Sequence, residues 1–228
     1  MNDPIGALSR QFDAVLGALF HLERHFARES QQRTVRHRDR HGYVPYPPRD
    51  FLAKMHVASR LHHAIRGKRP SRFLDVGCGA GIKVFLAAHL FTHAAGLEID
   101  RRLLRIARAL NQTSLRDSTF IRGNALTYDD YARYDILFVY RPFRDDERQA
   151  ALERRITEQT RPGTIIVASL CRFDELPPSL RPVQVLPGVY LTLPRTRSMR
   201  RFPKALQVEL AALSRPSRAT TRARSTRR

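Results

Sequence analysis

The chain has 228 residues, 42% of them hydrophobic, with 41 basic and 21 acidic side chains and a formal net charge of +20. That length admits one α/β domain with some appended helix and is short for two, and no apolar run approaches the roughly 18 to 20 residues that a membrane span needs. Two cysteines, Cys78 and Cys171, exclude a disulfide framework and a cysteine metal cluster.

The charge is uneven. Residues 1–70 carry 13 basic and 6 acidic side chains, residues 71–170 carry 15 and 12, and residues 171–228 carry 13 and 3. Basic flanks around a nearly balanced body concentrate polyanions, so a nucleic acid, RNA in particular, is an expected partner. An arginine bias of the genome is the competing account, because the lysines are limited to Lys54, Lys68, Lys83 and Lys204. The start, Met1-Asn2-Asp3-Pro4, lacks the basic and apolar regions of a secretion signal, so a cytoplasmic protein without membrane attachment is expected.

Asp3 and Pro4 form a good helix start. Apolar residues then recur at Ile5, Leu8, Phe12, Val15, Leu16, Leu19, Leu22 and Phe26, one face of a helix that must pack on the domain, on a partner or over a substrate. His21 and His25 lie four apart on it, but no third ligand is suggested and no metal site is expected. Glu29 to His41 is polar and basic without apolar period and reads as a mobile loop. Gly42-Tyr43-Val44-Pro45-Tyr46-Pro47-Pro48 is stiffened by its prolines. It reads as a lid or an elbow, and leads into a helix with Phe51, Met55, Ala58, Leu61 and Ile65 on one face.

After Pro70 strands and helices alternate, the pattern of a doubly wound, mostly parallel sheet in an α/β fold. Strands are expected over 72–76, 93–98, 119–122, 134–140 and 164–170, with helices over 82–91, 101–111 and 145–160. Residues 183–186 and 189–193, joined by Pro187-Gly188, read as an antiparallel hairpin at the sheet edge. A short helix over 204–213 follows. Ser214 to Arg228 holds six arginines and no acid, the composition of a disordered basic tail. The expected organisation is an N-terminal helical extension and lid over 1–70, a central domain over 71–200, and a short helix with its tail over 201–228.

The chemistry-bearing stretch is Asp75-Val76-Gly77-Cys78-Gly79-Ala80-Gly81, a strand that breaks into three alternating glycines before a helix. A dinucleotide turn, Gly-x-Gly-x-x-Gly, would place its third small residue where Ile82 stands. The arrangement here, Asp-x-Gly-x-Gly-x-Gly, resembles motif I of class I S-adenosylmethionine-dependent methyltransferases. No pyrophosphate then needs a cradle, but an amino-acid moiety with an ammonium group does, and an acid near the strand end suits it.

Glu98 ends the second strand 17 residues after Gly81, and the two oxygens of a carboxylate match a vicinal diol. The resemblance implies that Glu98 holds the cofactor ribose and that Ile99 packs on the adenine, while Asp100 is better read as a helix cap. Arg122-Gly123-Asn124-Ala125-Leu126 stands where the family often has Gly-Asp-Ala next to the adenine, with Asn124 keeping an acceptor oxygen. Tyr134 to Phe143 resembles motif IV. Asp75, Gly77, Cys78, Gly79, Gly81, Glu98, Ile99, Asn124 and Ala125 are thus the expected S-adenosyl-L-methionine site. The resemblance covers about residues 72–193 and leaves both flanks outside it.

The acceptor is less defined. Amino-directed nucleic-acid methyltransferases typically end the fourth strand in Asp/Asn-Pro-Pro-Tyr/Phe, whereas this chain reads Tyr140-Arg141-Pro142-Phe143. Tyr140 is the candidate catalytic residue, orienting a nucleophile or lining the transfer channel, and Tyr43, Tyr46, Arg141 and Phe143 are candidate substrate or lid residues. Three functions stay open: a nucleic-acid methyltransferase acting on RNA; a protein or small-molecule methyltransferase, since the proline–aromatic entrance is similar to that of small protein-lysine methyltransferases; and a non-catalytic cofactor-binding scaffold.

Overall fold

The computed structural model describes residues 4–34, 43–194 and 202–213. Helix α1 (Pro4–Thr34) and helix α2 (Pro48–Arg66) precede the alternating body: β1 (Arg72–Val76), α3 (Ile82–Ala87), β2 (His93–Glu98), α4 (Arg101–Gln112), β3 (Ser118–Arg122), β4 (Ile136–Tyr140), α5 (Asp146–Gln159) and β5 (Ile165–Ser169). The hairpin β6 (Val183–Leu186) and β7 (Val189–Leu191) and helix α6 (Lys204–Leu213) follow. One seven-stranded sheet runs β3-β2-β1-β4-β5-β7-β6. Its first five strands are parallel, and β7 joins β5 antiparallel with β6 outside it.

The central strands carry apolar side chains on both faces because both faces are covered. Along β4, Ile136 and Phe138 enter one core with Phe51, Met55, Phe73 and Ile165. Leu137 and Val139, pointing the other way, enter a second with Leu74, Leu152, Ile156 and Ile166. Each such fully buried side chain contributes roughly 1.5–3 kcal/mol. Local signals end the helices. Pro48 opens α2, Asp100 caps α4 by accepting from Arg102 N at 2.7 Å, and Asp145 caps α5 by accepting from Arg148 N at 2.8 Å.

The flanks pack on this body. Phe51, Met55, Ala58 and Leu61 of α2 are fully buried against the sheet. The α6 residue Leu206 reaches the same core, and Arg60 pairs with Glu209 of α6 at 2.7 Å. Helix α1 buries Leu16, Glu23 and Ala27, while Leu8, Phe12 and Val15 remain exposed. It also continues past Phe26 to Thr34, so Glu29 to Thr34 is helix where a loop was expected. Glu, Gln and Arg are good helix formers, so this polar run continues the helix without an apolar period. The rest of that expected loop, 35–41, and the expected tail, 214–228, lie outside the described residues.

The strand order reverses between β1 and β4, which opens a crevice at their carboxyl ends. The glycine turn leaves β1 there and Tyr140-Arg141-Pro142 leaves β4. A Cβ on Gly77 would stand 3.1 Å from Pro142 Cβ, so the two segments meet.

Candidate cofactor and transfer site

The turn is built on β2: Gly77 N and Cys78 N both donate to Leu97 O, at 2.8 and 3.0 Å. Gly79 takes φ +56°, and a Cβ on it would overlap two ring atoms of Tyr43. The strap over 43–47 is therefore folded onto the turn, with an aromatic ring against bare backbone. Gly81 serves a different purpose. At φ +81° it begins α3, and a Cβ there would strike Ala107 and Phe120 at 2.8 Å, so it permits the approach of α3 to α4 and β3. Cys78 turns its side chain into the core, where its Sγ leaves no room for a Cβ on Gly96, and burial pushes its thiol well up. Its share in the site is backbone.

Asp75 is 4% exposed, and no donor among the described residues reaches its carboxylate. Burial first, and the nearby Glu98 second, push it well above the usual carboxylate range. An unpartnered buried carboxylate beside a glycine turn fits an ammonium group, which would satisfy both its charge and its lone pairs. Glu98 is already engaged. Its Oε1 accepts from Ile99 N and Asp100 N at 2.8 and 2.9 Å, and its Oε2 from Gly79 N at 2.9 Å. Burial raises its pKa and these donors pull it back. A carboxylate offers about four acceptor positions, so one remains on Oε2 for a hydroxyl, rather than the free pair that a diol clamp implies.

Ile99 is half-buried beside Glu98. Asn124 directs Oδ1 to Leu126 N at 3.0 Å within its own turn, and Ala125 packs in the second core. A side-chain oxygen that closes a local turn is less available for reading a base.

Two residues that sequence reasoning did not single out hold the strap. Glu23 of α1 is fully buried, accepts from Tyr43 Oη and pairs with the Lys83 ammonium of α3. Burial, with Asp75, Cys78 and Glu98 adding to it, pushes the Tyr43 phenol well up, so it stays a donor. Burial also pushes the Lys83 ammonium well below the ordinary lysine value.

At the transfer end, Tyr140 lies edge-on to Tyr46 with ring centroids 4.9 Å apart, and its phenol is raised by burial and then by Tyr46. Ser169 Oγ donates to Tyr46 Oη at 3.2 Å and accepts from Lys54 Nζ at 3.0 Å, tying β5 and α2 to this pair. Lys54 and Ser169 carry no motif and were also missed. Arg141 and Leu170, which directly follow β4 and β5, take φ +33° and +57°. Left-handed backbone in residues with a Cβ stores strain at this edge. Arg141 pairs with Asp146 and donates to Arg144 O at 3.3 Å, which directs it toward α5. Phe143 packs against the second core. The structure thus brings Tyr43, Asp75, Gly77, Gly79 and Glu98 together and sets Tyr46 with Tyr140, while Cys78, Gly81, Asn124 and Ala125 support the site through backbone and packing.

Strand order, glycine turn and flanking acids define a class I methyltransferase domain, whose cofactor is S-adenosylmethionine. The methyltransferase domain family matches residues 68–205, and the chain belongs to it. No curated protein matches the chain. Among solved structures it is similar to DesVI of Streptomyces venezuelae, at 23% identity over 53% of this chain and 51% of that one, with a TM-score of 0.41. It is similar also to CalS10, an amino pentose methyltransferase from Micromonospora echinaspora, at 25% identity over 52% and 50%, with a TM-score of 0.43. An RNA methyltransferase from Salinibacter ruber, in complex with S-adenosyl-L-homocysteine, matches at 22% identity over 66% of this chain and 94% of that one, with a TM-score of 0.49. The matches to the first two span about half the length of those chains.

Proposed function

We propose that the protein transfers a methyl group from S-adenosylmethionine to a nucleic acid, with structured RNA as the acceptor. The observation that carries the acceptor class is the charge: a net +20, concentrated on both flanks of a domain whose own body is nearly balanced. Affinity for polyphosphate follows from such a distribution, with little demand on base contacts.

When bound, the cofactor supplies a methyl group already activated on a sulfonium. Asp75 would hold its ammonium, the remaining Glu98 acceptor a ribose hydroxyl, and Ile99 an apolar wall for the adenine. Tyr46 and Tyr140 form an aromatic wall beside the β4 exit, where they orient a flat acceptor and exclude water. An amine that arrives neutral needs no general base. The test is RNA binding across a salt series: affinity falls steeply with salt and weakens when 214–228 is removed. Binding insensitive to both would refute the nucleic-acid reading.

A protein or small-molecule acceptor is favoured by one observation, the lack of a carboxylate or carboxamide at the β4 exit, where Tyr140 stands beside an Arg141 held by Asp146. Labelled methyl transfer into nuclease-treated and protease-treated extracts separates the two. Cofactor binding without turnover on any extract would instead mark a scaffold.

A further inference from the structure

The edge of the sheet opposite the transfer site carries a second concavity. It lies at the amino ends of β1, β4 and β5 and has a volume of about 450 Å³. Strands of five residues at roughly 3.3 Å each put it on the order of 17 Å from the glycine turn. Arg66, Arg69, Arg72, Arg133 and Arg161 line it, against the single carboxylate of Asp135.

Ordinary packing accounts for part of this cluster. Arg161 reaches Asp135 Oδ1 at 3.3 Å, Arg133 pairs with Asp130 at 3.2 Å, and Arg66 Nη2 donates to Pro162 O at 3.2 Å. Asp135 Oδ2 is occupied by the backbone N–H of Arg72 at 3.1 Å. What remains is unbalanced. The guanidinium groups of Arg69 and Arg72 have no carboxylate partner among the described residues, and the buried Arg66 Nε has no acceptor. His62, whose side chain is 7% exposed, also lines the pocket with its Nε2 buried and unpartnered, since Asp135 Oδ2 lies 3.9 Å away, beyond a hydrogen bond. A buried donor without an acceptor costs about 1–3 kcal/mol, and like charges gathered around a cavity add to that. An anion with several acceptor oxygens relieves both. Phosphate oxygens match guanidinium forks in pairs, as a carboxylate's do, and a tetrahedral phosphate has oxygens enough to meet several forks at once.

We propose that this pocket binds phosphate ester groups and, where the acceptor is RNA, anchors the backbone of that RNA on the side of the sheet remote from methyl transfer. The second clause rests on the nucleic-acid reading above; the first does not.

The probes are a short fluorescein-labelled RNA and inorganic pyrophosphate, each titrated into the full chain. The pocket variant is Arg69→Glu/Arg72→Glu. The control is Arg116→Glu/Arg154→Glu, which removes the same charge from exposed positions elsewhere. S-Adenosylhomocysteine binding, unchanged in both, shows that the fold is intact. RNA affinity is expected to fall roughly tenfold or more in the pocket variant alone, with the salt slope lower by about 2, and pyrophosphate to compete with RNA. Loss of pyrophosphate binding in the pocket variant with unchanged RNA affinity would support a phosphate site filled by a free phosphate compound and would refute the RNA anchor. Equal effects of the two variants on both probes would overturn the pocket altogether. Methyl transfer to RNA by the wild-type protein, scored separately, tests the acceptor reading by itself.

Discussion

The substitution Asp75→Asn is expected to stabilise the protein and to disable it. The wild-type carboxylate is buried, 4% exposed, without a donor among the described residues, and its pKa is raised by burial and by Glu98. A group whose folded pKa exceeds its unfolded value contributes stability at low pH and loses that contribution as the pH rises through the folded value. At pH above that point the native protein therefore holds an unfavourable buried charge, which the amide removes. The introduced carboxamide remains an unsatisfied polar group, so the net gain is about 1 kcal/mol, visible as a higher denaturation midpoint that converges on wild type in acid. Binding moves the other way. A hydrogen bond between charged groups is worth about 1.5–3 kcal/mol, so affinity for S-adenosylhomocysteine should fall between roughly tenfold and a hundredfold. Wild-type affinity should also rise with pH through the Asp75 titration, because binding an ammonium ionises the acid and releases a proton. Calorimetry in buffers of different ionisation enthalpy reads that proton directly. Unchanged affinity in the variant, or no proton release by the wild type at a pH below the Asp75 titration, would show that Asp75 does not face the ammonium.

Gly79→Ala should cost about 1–2 kcal/mol for its left-handed backbone and more for the overlap with the Tyr43 ring. In a Tyr43→Ala background only the first cost remains, so equal losses in urea denaturation in both backgrounds would place the ring elsewhere. Lys83→Met leaves the Glu23 carboxylate buried without its cation and should cost about 3–5 kcal/mol, most of it recovered by adding Glu23→Leu. A single variant as stable as wild type would show that this pair does not hold α1 on the domain. Tyr140→Phe keeps the ring that packs on Tyr46 and should retain turnover, whereas Tyr140→Ala should lower kcat on the order of 100-fold. A loss of similar size in the Phe variant would assign the work to the hydroxyl.

The parts of this molecule that could be read from its sequence are those in which neighbours along the chain decide the outcome. β1, β2, β6 and α6 begin and end where expected because alternation, glycine and proline act within a few residues. The three glycines and the acids around them could be read for the same reason, since a turn and the strand that feeds it are contiguous. The side chains that complete the site could not. Glu23 and Lys83 stand 60 positions apart, and Lys54 and Ser169 stand 115 apart. A buried lysine in α3 looks, in sequence, like any surface charge of an arginine-rich chain. The fate of Asn124 also escaped, because a side chain that can accept from a base can equally accept from an N–H two residues on.

The same reasoning separates the two ends of the sheet. At the carboxyl ends of the strands, acids and glycines gather in motifs whose spacing fits one bound molecule. At the amino ends, Arg66, Arg69, Arg72, Arg133 and Arg161 come from the close of α2 and the approaches to β1, β4 and β5, and no spacing links them. In a chain with 41 basic residues, sequence alone treats each of these arginines as background. The parallel order converts them into a site, because it brings the beginnings of β1, β4 and β5 side by side, with one carboxylate between them. Excess charge that follows composition alone should be scattered over the surface, and evenly countered by acids. A concave cluster with unpartnered buried nitrogens on His62 and Arg66 is not scattered, so a compositional bias toward arginine would account for the number of these residues but not for their placement.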